Sequence, residues 1–247
     1  MRRLLPLLAI LLLAGCGGTA TTSPRSVPTT IAATTTSAAS DATADVFPAD
    51  GTERATVVLF HGWTDITPDG YLEWIAHLNA EGVTVLFPRY QQSALSLPAQ
   101  MLADAEAATR DGFAKAPPSG PVISAGYSLG GGYSVVYAAN AKAWQVPVPR
   151  AVYAVFPAMP PVVPEPFGRV PPKTPVTMLV GDRDSVVGTL GADQLAAAIS
   201  PHPATIVLRT STAAIAFDHL SAKRTGPAAQ RAFWLPLDRI VDRLAPR

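Results

Sequence analysis

Short runs of β-branched and other apolar residues alternate with helical stretches from residue 56 to the C-terminal region. The apolar runs predict strands over 56–60, 83–87, 122–126, 151–156, 176–180 and 204–208. Helical spacing and end signals predict helices over 71–80, 98–114, 130–142, 192–199 and 228–244. The runs are apolar on both faces, which is typical of a mostly parallel sheet with helices on both sides.

The connection between the fourth and fifth predicted strands is rich in proline. Eight prolines lie within residues 157–175. A segment this short with so many prolines does not form a helical cap domain, because proline disrupts helix interiors. The sequence therefore predicts one α/β domain with a minimal cap or none.

The N-terminus has the layout of a secretory signal. Arg2 and Arg3 precede an apolar run over 4–14, which is shorter than the about 20 residues needed to span a bilayer. The run ends in Leu-Ala-Gly-Cys, and Cys16 is the only cysteine in the chain. This end resembles the bacterial lipoprotein signal, which implies a signal peptide over 1–15 and lipidation of Cys16. The alternative is an ordinary secretory signal with an incidental cysteine.

The segment that follows Cys16 consists almost entirely of Thr, Ser, Ala, Pro and Gly. Such a composition buries too little apolar surface to offset the entropy of ordering. We therefore expect a disordered tether within 16–50 and the folded domain within 51–247. A lipid anchor on this tether would hold the domain outside the cytoplasm, at the bacterial cell membrane.

The charge of the chain excludes one class of partner. The formal net charge is +1 and becomes −1 without Arg2 and Arg3. No basic patch stands out, so nucleic acid is not an expected partner. A single cysteine forms no disulfide within the chain, and we expect a monomer.

A serine flanked by glycines lies between the third predicted strand and the third predicted helix, in Gly126-Tyr127-Ser128-Leu129-Gly130. A tight strand-to-helix turn presents a serine hydroxyl for nucleophilic attack, and it requires small residues two positions before and after the serine. Ser128 is therefore the candidate nucleophile. The alternative is a glycine-rich turn with a structural serine.

This motif, continued by Gly131 and Gly132, resembles the α/β-hydrolase superfamily over about residues 52–245. The serine-based dienelactone-hydrolase-like and cutinase-like branches are the most similar. Two features depart from them. True dienelactone hydrolases carry cysteine in place of Ser128, and bacterial polyester hydrolases of the cutinase type commonly carry a C-terminal disulfide, which this chain cannot form.

The resemblance implies an acid and a histidine that follow the nucleophile in that order. The pattern Gly-x-x-Asp-x-x-Val after the fifth predicted strand places the acid on Asp184, with Asp182 as the alternative. His219 follows the last predicted strand and precedes the closing helix. It is therefore the expected base.

The other three histidines have positions that suit other roles. His61 precedes the nucleophile, His77 lies in the middle of a predicted helix, and His202 lies between two prolines. The resemblance also implies two backbone donors for the oxyanion, the N–H groups of Leu129 and of Trp63 in a His-Gly-X turn. The Trp63 indole and the side chains of Tyr127 and Tyr90 are expected to line the cleft.

These residues predict a serine hydrolase that cleaves carboxylic esters through an acyl-enzyme intermediate. The alternatives are hydrolysis of an amide, thioester or lactone, or a non-catalytic binding protein on the same scaffold. Neither a metal site nor a cofactor is expected. The histidines and carboxylates lack ligand spacing, and no dinucleotide-binding motif occurs.

Overall fold

The computed structural model of the protein describes residues 40–247. The predicted signal peptide, Cys16 and most of the predicted tether lie outside these residues. Within 40–247, no helix has both the length and the apolar character needed to cross a membrane.

Seven strands form one sheet. In chain order they are β1 (Ala44–Phe47), β2 (Ala55–Phe60), β3 (Val83–Pro88), β4 (Val122–Tyr127), β5 (Ala151–Val155), β6 (Val176–Gly181) and β7 (Ala204–Arg209). Their order across the sheet is β1-β3-β2-β4-β5-β6-β7. All neighbours pair in parallel except β1, which pairs antiparallel with β3. The carboxyl ends of β2 to β7 therefore meet along one edge.

The six predicted strands are confirmed, and β1 is an addition. Its four residues lie inside the segment predicted as a tether, so the disorder expected up to residue 50 is wrong for this part of the chain. Ala44 is buried, and pairing runs from Ala44 opposite Pro88 to Phe47 opposite Val85. The stability that β1 gains by pairing with β3 comes from a contact that is distant in sequence, so local composition does not predict it.

Helices cover both faces of the sheet. They are α1 (Leu72–Ala80), α2 (Pro98–Lys115), α3 (Leu129–Asn140), α4 (Leu190–Ala198), α5 (Pro227–Ala229) and α6 (Leu235–Leu244). The alternation of side chains along β2 separates the two cores. Val57 and Leu59 pack with α1 and the C-terminal helices, whereas Val58 and Phe60 pack with α2 and α3.

The closing helix, predicted as continuous over 228–244, contains a π-helical turn at Gln230–Trp234 between α5 and α6. Such a turn changes the carbonyl pairing of an α-helix, and two carbonyls within it accept side-chain hydrogen bonds. The Tyr153 hydroxyl donates to the Phe233 carbonyl at 2.8 Å, and the Arg209 guanidinium donates to that of Ala232 at 3.3 Å. These contacts attach the helix to β5 and β7.

The proline-rich connection between β5 and β6 contains no helix. It begins beside the glycine-flanked Ser128, where the Ala158 N–H donates to the Ser128 carbonyl at 2.9 Å. It then reaches the end of α3, where the Arg169 N–H donates to the Ala139 carbonyl at 3.0 Å. The connection thus follows α3 and forms no helical cap.

Candidate active site

Ser128 occupies the turn between β4 and α3 with φ +55° and ψ −123°. A non-glycine residue rarely adopts a positive φ, and surrounding contacts must hold it there. The Ser128 N–H donates to the Val155 carbonyl at 2.9 Å, and its carbonyl accepts from Ala158 and from Gly132. The side chain is thereby presented at the N-terminus of α3, as the motif predicts.

The two flanking glycines are required by close backbone contacts. A Cβ atom on Gly126 would lie 2.1 Å from the carbonyl oxygen of Gly130, and one on Gly130 would lie 2.2 Å from that of Phe60 and 2.3 Å from that of His61. Neither position has room for a side chain. The same contacts place the end of β2 directly against the turn that carries Ser128.

Ser128, His219 and Asp184 form one chain of hydrogen bonds. His219 Nε2 lies 2.9 Å from Ser128 Oγ, and His219 Nδ1 lies 2.8 Å from Asp184 Oδ2. The other carboxylate oxygen of Asp184 accepts the N–H groups of Val186 at 2.9 Å and Val187 at 3.1 Å. Since the carboxylate accepts at Nδ1, that nitrogen carries the proton and Nε2 is free to accept the serine proton.

Asp182, the alternative acid, has a different role. Its oxygens accept the N–H of Ser211 at 2.9 Å and the hydroxyl of Ser211 at 2.5 Å. These hydrogen bonds lower the pKa of Asp182. Asp218, next to His219 in sequence, pairs with Arg224 at 2.8 Å. Of the three aspartates, Asp184 therefore contacts the imidazole.

Two of the remaining histidines bind elsewhere. His77 Nε2 lies 3.0 Å from an Asp238 oxygen, and His202 Nε2 lies 2.9 Å from the Thr174 carbonyl. Among residues 40–247, no group of three or more His, Cys, Asp or Glu side chains could hold a metal ion.

Residues 61–65, which we call the β2 turn, follow β2 and have most of their N–H groups bound. The Gly62 N–H donates to the Tyr71 hydroxyl and the Thr64 N–H donates to Gln91 Oε1, both at 2.8 Å. The N–H of Trp63 between them has no hydrogen-bond partner within the described residues. This is the donor that the sequence predicts for the oxyanion.

The orientation of the Gly62–Trp63 peptide is fixed from its carbonyl end. The Gly62 carbonyl accepts His61 Nδ1–H at 2.8 Å and the Asp65 N–H at 3.1 Å. Because a peptide unit is planar, holding its carbonyl also sets the direction of the Trp63 N–H. Leu129, whose N–H is the second predicted donor, is the first residue of α3, where N–H groups have no partner inside the helix.

His61 is a buried, neutral part of this turn. Its ring stacks on Tyr90 at 4.1 Å and on Phe87 at 5.3 Å between centroids. Burial lowers the pKa of His61 to about 4. The expectation that Tyr90 lines the cleft is wrong, because Tyr90 is fully buried and its hydroxyl donates to the His61 carbonyl at 2.6 Å.

Tyr127 and Trp63 lie beside the site in different environments. Tyr127 is 4% exposed, and its hydroxyl donates to the His219 carbonyl at 2.9 Å. Its ring also lies close to Gly62, where a Cβ atom would be 2.9 Å from Tyr127 Cδ1. Trp63 is 45% exposed, so its indole is available to a ligand.

Sequence reasoning missed the side chains that hold the β2 turn. They are Asp65, Tyr71, Gln91 and Lys223, the last of which pairs with Asp65 at 2.6 Å. No local motif marks these residues, because each acts through a contact formed only in the folded chain.

The low pKa of His61 predicts a loss of stability in acid. The unfolded residue takes up a proton below about pH 6.5, whereas the folded residue does so only near pH 4. Its neutral form therefore contributes fully above pH 6.5, and up to about 3 kcal/mol is lost as the pH falls to 4. Denaturant unfolding at pH 7, 5.5 and 4 measures this loss. His61→Asn should lose less stability over that range, and an unchanged loss would show that another group is responsible.

No protein-family model matches the sequence, and no curated protein matches it. Solved structures do match. Esterase 2 of Thermogutta terrifontis, phosphonylated by cyclosarin, is 14% identical with a TM-score of 0.60, over 83% of this chain and 90% of that chain.

Two further solved structures are similar. An alpha-beta serine hydrolase homologue from Coxiella burnetii is 17% identical with a TM-score of 0.53, over 81% of this chain and 89% of that one. Est1E from Butyrivibrio proteoclasticus is 15% identical with a TM-score of 0.55, over 80% of this chain and 93% of that one. Together with the sheet order, these similarities show that the chain has the α/β-hydrolase fold.

Proposed function

We propose that the protein is a serine hydrolase that cleaves carboxylic esters through an acyl-enzyme intermediate. The observation that carries this proposal is the hydrogen-bonded chain from Ser128 through His219 to Asp184. The structures that share the fold include proteins described as esterases, which favours esters over other acyl compounds. Apolar side chains near the triad, those of Trp63, Val186 and Leu220, are exposed and suit an apolar substrate.

In the first half of the reaction, Ser128 Oγ attacks the carbonyl carbon of the ester while His219 Nε2 takes the hydroxyl proton. Asp184 accepts the hydrogen bond from His219 Nδ1–H and stabilises the imidazolium that forms. The electron pair of the carbonyl moves onto its oxygen, which the N–H groups of Leu129 and Trp63 stabilise. One such donor contributes about 3 kcal/mol to the transition state.

The tetrahedral intermediate then collapses to an acyl-enzyme. The C–O bond to the alcohol breaks, and the alcohol leaves with the proton from His219. In the second half, His219 takes a proton from water, the hydroxide attacks the acyl carbon, and the proton returns to Ser128 as the acid departs. Each step uses only side chains and N–H groups of this chain and one water.

We also propose that the protein is lipid-anchored at Cys16 and works at the outer side of the bacterial cell membrane. The signal layout of residues 1–15 supports this proposal. The domain would then meet ester substrates outside the cytoplasm, whether small molecules, lipids or polymers.

Covalent labelling tests the nucleophile. A fluorophosphonate probe should label the wild-type protein, and Ser128→Ala should abolish labelling and lower ester hydrolysis by about 10⁴-fold or more. Ser134→Ala is a matched control, because this buried serine lies in α3 and, within residues 40–247, its hydroxyl bonds only to the Gly131 carbonyl. The control should label like the wild type. Labelling that survives in Ser128→Ala would exclude Ser128 as the nucleophile.

A matched pair of substrates tests the bond that is cleaved. The protein should release p-nitrophenol from a short acyl ester but no p-nitroaniline from the anilide with the same acyl group. An amine must be protonated before it leaves, whereas p-nitrophenolate departs readily without this help. Comparable rates on both substrates would favour amide hydrolysis, and rapid opening of a lactone with a slow ester rate would favour a lactonase.

Fractionation of cells tests the anchor. The wild-type protein should sediment with membranes, and Cys16→Ser should move it to the soluble extracytoplasmic fraction, because the modified thiol is lost. Metabolic labelling with a fatty-acid analogue provides a second readout. Membrane association and lipid labelling that are both unchanged in Cys16→Ser would show that the anchor lies elsewhere.

A further inference from the structure

The 3₁₀-helix that begins at His219 ends at Lys223, whose ammonium group reaches the β2 turn. Lys223 Nζ lies 2.6 Å from Asp65 Oδ1, and the side chains are 29% and 19% exposed. The pair joins segments that are 158 residues apart in sequence. One of these segments carries His219 and the other carries Trp63.

The contact continues from Asp65 into the backbone of the turn. The Tyr71 hydroxyl donates to Asp65 Oδ2 and accepts the Gly62 N–H, both at 2.8 Å. Burial and the nearby Asp65 raise the pKa of Tyr71 well above 10, so its hydroxyl remains protonated and can donate. A line of three polar contacts thus runs from Lys223 to the peptide that precedes the Trp63 N–H.

Packing supports the position of Lys223. Its ammonium group lies 5.9 Å from the centroid of the Tyr71 ring, within the range of a cation–π contact. Its Cε atom lies against Gly70, where a Cβ atom would be only 3.1 Å away. The end of the lysine side chain is therefore held by both contacts.

We infer that Lys223, Asp65 and Tyr71 together are positioning residues that keep the Trp63 N–H and the His219 imidazole in register across Ser128. This inference rests on the proposed function. Proton transfer to His219 and stabilisation of the oxyanion occur in the same step, so both groups must be in place at once. A displacement of about 1 Å at such a site costs about 100-fold in rate.

The matched control is a lysine pair of the same length outside the site. Lys115 Nζ also lies 2.6 Å from its carboxylate partner, Asp111, but both residues belong to α2. Removing the Lys115 ammonium group discards this ion pair and a hydrogen bond to the Ala44 carbonyl at 3.0 Å, both outside the site. Only the loss at Lys223 separates the His219 segment from the β2 turn.

The test measures ester hydrolysis and melting temperature on the full chain. Lys223→Met should lower kcat by about 10- to 100-fold and change KM by less than about twofold, because geometry in the transition state is lost and substrate binding is not. Lys223→Arg should restore most of kcat, since it keeps the positive charge. Lys115→Met should keep the wild-type kcat.

Tyr71→Phe provides a second variant that retains the ion pair and removes only the hydroxyl. It should show the same fall in kcat at nearly constant KM. If Lys223→Met does not fold, this variant alone tests the positioning role. A wild-type kcat in either folded variant, with or without a lower melting temperature, would overturn the inference. A wild-type protein that neither hydrolyses esters nor reacts with a fluorophosphonate would instead refute the proposed function.

Discussion

The contact between the end of β2 and the first turn of α3 is the constraint on which the site depends. Gly130 lies against the carbonyl groups of Phe60 and His61 so closely that no side chain fits between them. This contact brings the β2 turn beside Ser128, which itself adopts a positive φ. Ser128 and the β2 turn are thus neighbours because two backbone segments touch.

The features that the sequence could predict are those carried by local patterns. Apolar runs identify six strands. The glycine spacing around Ser128 indicates two positions that have no room for a side chain. Asp184 and His219 follow from their order after strands, and the structure brings both to the serine. The predicted tether was too long because β1 gains its stability from β3, which is distant in sequence.

The supports of the site were not predictable, because they depend on where side chains point after folding. Tyr90 follows β3 at the correct edge of the sheet, yet its ring turns into the core and supports His61. Lys223 and Asp65 have no shared motif, and only the fold brings them together. The order of the candidate catalytic residues along the chain can therefore be evident in the sequence when the contacts that hold their geometry are not.

The central claim is that Ser128 becomes acylated during turnover. Rapid acid quenching of the wild-type protein with a short acyl ester, followed by peptide mass spectrometry, tests it directly. The account predicts a mass increase equal to the acyl group on the peptide that contains Ser128, formed at least as fast as product appears. Steady hydrolysis with no acyl group on that peptide, or with the acyl group on another residue, would contradict it.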